Sequence, residues 1–187
     1  MLQLIIDRGH DPQYPGAHGV ADEVQHVRDI CAKLLPLLTP YAQKLHVDVV
    51  PDGLGGGSGN GNLINKIKWI NAHAQAGALL ISLHGDGALN TKARGLTICF
   101  YGGSSYAQNQ ANAFLACMKA ATGVPAFGSG TMPDTAGRFG RLGMIRDTKP
   151  MALLVENGFV SNAQDMAVDR QKYANGIAQF VKQYFKL

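Results

Sequence analysis

Four side chains that could bind a metal or move a proton stand where apolar runs end or a helix opens. His10 follows the first run, in QLIIDRGHD; His84 closes LLISLHGD; Glu156 ends the run in MALLVENGF; and Glu23, in GVADEVQHV, opens a helical pattern after a glycine-bearing loop. Ligands of open α/β sheets bind beyond the carboxyl ends of the strands, so these positions point to one rim. Two neutral imidazoles and a carboxylate, with a fourth position open, are the ligand set of hydrolytic zinc sites. A second carboxylate nearby would serve as general base toward water. Spacing alone leaves a plainer reading open, in which each His caps a strand or fills a core. His18 lies in the loop before Glu23 and is a fallback ligand, whereas His46 and His73 sit away from strand exits. His26, three residues after Glu23, makes half of a di-iron Glu-x-x-His pattern whose second copy is absent.

The elements that must carry these residues are legible as alternating patterns. Apolar runs of strand length occur at 2–7, 45–50, 78–84, 96–101 and 152–156. Several are continuous rather than alternating, as suits strands covered on both faces. Between them lie helical patterns at 21–38, where Pro36 should kink or shorten the helix, at 62–76 and at 106–121. Ser161 and Gln164 read as a capping box for a final helix bearing Met166, Tyr173, Ile177, Phe180 and Tyr184 on one face. The expected fold is a single α/β domain over 1–187, with a twisted, mostly parallel or mixed sheet of about five to six strands and helices on both faces. No second domain and no internal repeat is visible. The glycine-rich stretch 52–62 has neither G-x-G-x-x-G nor a following Gly-Lys-Ser/Thr, and reads as a flexible loop. Residues 123–143 read as a long Gly- and Pro-bearing loop, a length that is usually functional or mobile.

Bulk properties bound the rest. With 187 residues and 46% hydrophobic content, the chain suits one globular domain and is too apolar for disorder. No apolar run approaches the roughly 18 residues of a membrane span. Cys31, Cys99 and Cys117 lie in apolar segments without framework spacing and read as buried, reduced thiols. A net charge of +4 favours polyanionic surroundings without choosing among them, and the basic residues are not interleaved with aromatics as nucleic-acid binding would ask.

Three blocks, LIIDRGHD…GAHGVADE, LLISLHGD and GMIRDTKPMALLVENGFVSN, together resemble the zinc-dependent N-acetylmuramoyl-L-alanine amidases of the amidase-3 type. The resemblance runs over nearly the whole chain. It implies one zinc per chain, held by His10, Glu23 and His84, with Glu156 as catalytic acid/base. It implies hydrolysis of the amide between N-acetylmuramic acid and L-alanine in peptidoglycan. Arg146, in MIRDTKP, matches an Arg that could hold substrate or make a structural ion pair. The departures are Arg8 in place of Pro, Gly85 and Asp86 in place of Ala-Asn, and Lys66 or Lys68 in place of an Arg in the second helix; they touch the rim rather than the ligands. The nearest rivals are a zinc peptidase and a non-catalytic wall- or nucleic-acid-binding module. The partners expected are peptidoglycan, no nucleic acid and no stable membrane insertion, for a monomer. The start MLQLIIDRGH reads as a strand rather than a signal peptide. The expected setting is therefore phage endolysin-like: host cytoplasm first, then the cell wall after membrane permeabilisation. The alternative is an exported bacterial autolysin whose signal peptide was removed.

Overall fold

The apolar runs become strands and the 3.6-period stretches become the helices that cover them. In the computed structural model, which describes residues 1–137 and 140–187, the strands are β1 (Leu2–Asp7), β2 (Leu45–Val49), β3 (Leu79–Asp86), β4 (Leu96–Phe100), β5 (Ala126–Pro133) and β6 (Met151–Phe159). They form one sheet in the order β2-β1-β3-β6-β4-β5. Every pairing is parallel except β4 with β6. Leu4, Ile6, Leu79, Ile81, Leu83, Leu153 and Val155 pack on one face against α1 (Glu23–Leu38), α3 (Ser105–Thr122) and α6 (Arg170–Phe185). The alternate residues Ile5, Leu80 and Ala152 face Ile70 of α2 (Gly59–His73) and Met144 of α4 (Gly143–Arg146) on the other face. Period-two alternation thus feeds two cores from the same strands.

α1 begins where Asp22 accepts a hydrogen bond from the Gln25 amide, which puts Glu23 in the first turn. Pro36 falls in the last turn of α1, which ends two residues later, and the chain passes at Thr39–Tyr41 into a 3-10 turn. Two expectations are corrected. Within 123–143, residues 126–133 are the edge strand β5. Gly128 and Gly130 at positive φ, and a register shift between its pairings, hide it from any apolar or alternating pattern. Arg138 and Phe139 of that stretch lie outside the described residues. The final helix is two helices: Asn162, not Ser161, caps the short α5 (Ala163–Met166), and Asp169 caps α6. Ser161 Oγ instead accepts from the Ala88 amide, tying down the turn after β3. Among the described residues no helix is long and apolar enough to cross a membrane.

Candidate metal centre

β1, β3 and β6 are neighbours in the sheet, so residues far apart in the chain emerge side by side at their carboxyl ends. His84 and Glu156 are register partners across β3 and β6. His10 arrives from β1 through Gly9, whose φ of +61° and proximity to the Leu83 carbonyl (2.5 Å from any Cβ) admit only glycine. Glu23 reaches the same point from the first turn of α1.

The three groups converge. His84 Nδ1 lies 3.1 Å and His10 Nε2 lies 3.6 Å from Glu23 Oε1, and all three donor atoms lie within 4.8 Å of one another. Tetrahedral zinc with ordinary bond lengths separates its ligand atoms by about 3.3 Å, so the donor set fits that ion with little movement. The two imidazole rings meet edge to face at 5.2 Å. Glu23 is aimed by backbone donors: the Ala17 amide to Oε2 at 2.7 Å and the Gly85 amide to Oε1 at 3.1 Å. Gly16 closes the cradle, since a Cβ there would collide with Glu23 Oε2 and the His10 ring. Such outer contacts orient ligands before a metal arrives.

Beneath the ligands lies a buried ion pair. Lys66 of α2 donates to Asp7 Oδ1 at 2.9 Å and to the Gly9 carbonyl, and Ser82 Oγ donates to Asp7 Oδ2 at 2.6 Å. The network clamps the turn that presents His10. Sequence reading treated Lys66 only as a departure. Its place among Leu63, Ile67 and Ile70, inside the apolar stripe of α2, was the available signal that it needs a buried partner.

The electrostatics are those of acid and base groups held close together. Burial alone would raise Glu23, but the His84 hydrogen bond and the two imidazoles bring it down to about 2. Burial would lower His84, yet the Glu23 hydrogen bond and the charges of Glu156 and Glu23 lift it to about 9. His10 is lowered by burial and by His84. Burial and the Glu156 and Asp86 charges push the Cys99 thiol up to about 12, which excludes it as a thiolate nucleophile.

His26 carries a pH prediction. Burial holds its pKa down at about 4, against 6.5 in an unfolded chain. Between those values the unfolded state binds the extra proton. Stability is therefore full above pH 6.5 and declines as pH falls toward 4, by at most about 3 kcal/mol from this residue. Glu23 acts in the same direction below 4.5, whereas the raised His84 has the opposite slope between 6.5 and 9. The urea midpoint of chelator-treated protein should drop from pH 7 to pH 4.5, and His26→Gln should flatten that drop. An unchanged wild-type midpoint contradicts the assignment.

An open cavity of about 700 Å³ spreads from these groups, lined by His10, Glu23, Lys66, His84, Glu156 and Arg141 among others. Arg146 does not line it. Its guanidinium makes a bidentate pair with Asp134 (2.7 and 3.0 Å) and stacks over the Tyr101 ring at 4.6 Å. Arg141, five residues earlier, does reach the groove wall, with Asp147 as its partner. His18 pairs with Asp22 at 3.0 Å outside the ligand cluster, His46 pairs with Asp48, and His73 stacks on Trp69 at 4.0 Å. All three cysteines are buried and free.

The family model described as N-acetylmuramoyl-L-alanine amidase, Amidase_3, matches residues 4–183. The fold is similar to that of the catalytic domain of CwlV, an N-acetylmuramoyl-L-alanine amidase from Bacillus (Paenibacillus) polymyxa var. colistinus. That match has 24% identity and a TM-score of 0.75, and covers 100% of this chain and 99% of that one. It is similar to AmiC2 of Nostoc punctiforme, at 19% identity and TM-score 0.78 over 100% and 98%. The catalytic domain of the CD27L endolysin targeting Clostridia difficile also shares it, at 22% identity and TM-score 0.74 over 100% and 97%. No curated protein sequence gives a significant match.

Proposed function

We propose that this chain, which belongs to the Amidase_3 family of N-acetylmuramoyl-L-alanine amidases, hydrolyses the amide between the lactyl group of N-acetylmuramic acid and L-alanine in peptidoglycan, with one zinc ion held by His10, Glu23 and His84. The observation that carries the reading is the convergence of two imidazoles and a carboxylate within 4.8 Å, on an open groove that also holds Glu156.

Zinc bound there supplies Lewis acidity to the amide carbonyl and to an attacking water. Glu156 takes the proton of that water and passes it to the leaving amine. His10 and His84 would hold zinc as neutral imidazoles, so the proton that Glu23 and Glu156 favour on His84 would be released to solvent as the ion binds. Gly9, Gly16 and the Lys66–Asp7 pair keep the ligands in place and the groove open. Arg146 braces the groove wall through Asp134, and Arg141 is the guanidinium within reach of substrate. One chain supplies every group named here, so the site needs no second copy.

Mass spectrometry of purified peptidoglycan, digested with and without chelator, tests this. The expected products are intact glycan and peptides with a new N-terminal L-alanine, lost on chelation and restored by zinc. Release of free terminal amino acids instead would make it a peptidase.

The fold is shared about equally with an endolysin catalytic domain and with bacterial amidases; of the two settings we propose phage-induced lysis, in which the enzyme gathers in the host cytoplasm and reaches the wall after permeabilisation. Expression in bacteria should be harmless until a membrane permeabiliser is added. Lysis without permeabiliser would favour an exported autolysin.

A further inference from the structure

The β3–β6 ladder is interrupted beside the metal ligands. His84 pairs with Glu156, but the next register pair is Asp86 with Phe159, so Asn157 and Gly158 oppose the single residue Gly85. This is a bulge, and Gly158 takes a φ of +83° to make it. Bulges next to active sites re-aim side chains, and the strand residue immediately before this one is Glu156.

Two carbonyls at the bulge take side-chain donors. His26 Nε2 lies 3.0 Å from the Asn157 carbonyl, and Asn157 Nδ2 donates to the His84 carbonyl at 3.0 Å. A carbonyl only accepts, so His26 must carry its proton on Nε2. Asn157 is fully buried and His26 is 1% exposed, so water offers no substitute. The ring is held edge-on by Tyr173 at 5.6 Å, whose hydroxyl donates to the Asp165 carbonyl. Gly85 leaves the space: a Cβ there would come 2.9 Å from Val160 Cγ1 and 3.4 Å from His26 Cδ2. His26 also stands one helical turn after Glu23, on the same helix. One imidazole thus joins the helix that bears Glu23 to the strand that bears Glu156, and Asn157 extends the tie to the strand that bears His84.

We propose that His26 is a positioning residue for amide hydrolysis: its Nε2–H holds the Asn157 carbonyl, and with it the bulge that sets Glu156 against His84 and Glu23. The inference rests on the amidase reading and assigns the remaining half of the Glu-x-x-His pair a role beside the metal rather than on it.

The test compares His26→Phe, which keeps a ring but loses the donor, with His26→Gln, which restores an N–H of similar reach. Zinc dissociation constants by chelator competition and kcat per bound zinc are measured on folded protein. Outer contacts of this kind are worth roughly 10- to 100-fold. His26→Phe should lower kcat by about that factor with KM little changed, and weaken zinc by about tenfold. His26→Gln should recover most of both. If His26→Phe does not fold, His26→Asn takes its place, since its amide is too short to reach Asn157 and the same losses are expected. The inference falls if the donor-less variant melts earlier yet keeps zinc affinity and kcat per zinc within about twofold of wild type. It also falls if His26→Gln is no better than His26→Phe. Wild-type protein that binds no zinc or does not cleave peptidoglycan overturns the amidase reading and this inference with it; wild type that cleaves, but no faster per zinc than His26→Phe, overturns the inference alone.

Discussion

Replacing Glu156 with glutamine is expected to lower kcat by roughly a thousandfold, the middle of the range for a lost general acid/base. That is about 4 kcal/mol of barrier. The substitution is nearly isosteric, and the position sits in register with His84 in the middle of the sheet, so fold and zinc content should persist. What disappears is the capacity to accept a proton. Turnover on a peptidoglycan fragment, read beside elemental zinc analysis, separates the two effects. A variant that keeps zinc and more than a tenth of wild-type turnover removes Glu156 from the acid/base role.

Glu23→Ala should act on binding instead. Its Oε1 is the point on which His84, His10 and the Gly85 amide converge, so the substitution deletes a ligand and the anchor of the other two. Structural zinc sites hold the ion by about 10–16 kcal/mol through four ligands, so losing one costs about 3–4 kcal/mol, or several hundredfold in affinity. Chelator competition should show that loss, and activity should fall with occupancy. His84→Ala should behave alike. Full occupancy and activity in either variant would mean the ligand set is wrongly assigned.

Much of this architecture was legible because it is periodic. Continuous apolar runs marked β1, β3, β4 and β6, and 3.6-residue stripes marked α1, α2, α3 and α6. The residues at the ends of those runs, His10, His84 and Glu156, stand out because a polar side chain there interrupts an apolar pattern and needs a partner. The features that were missed are non-local or aperiodic. β5 is an edge strand with glycines at positive φ, and nothing in its composition alternates. Ser161 looks like a helix cap, yet its hydroxyl serves a turn that is 73 residues away in the chain. The Lys66–Asp7 pair spans 59 residues, and the contact between His26 and the Asn157 carbonyl spans 131. Pairing across such distances is decided by the order of strands in the sheet, which no local pattern encodes.

The irregular course of β5 bears on how molecules of this chain meet one another. A sheet that is not closed has two borders, here β2 and β5, and a straight border is a template for another molecule's strand. Gly128 and Gly130 at positive φ and the register shift break the row of outward amides along one border. On the other, His46 and Asp48 form a polar pair on one face of β2, beside which an apolar strand would pack poorly. Both borders are thereby poor seeds for fibrils, so crowded molecules can collide edge to edge without zipping together.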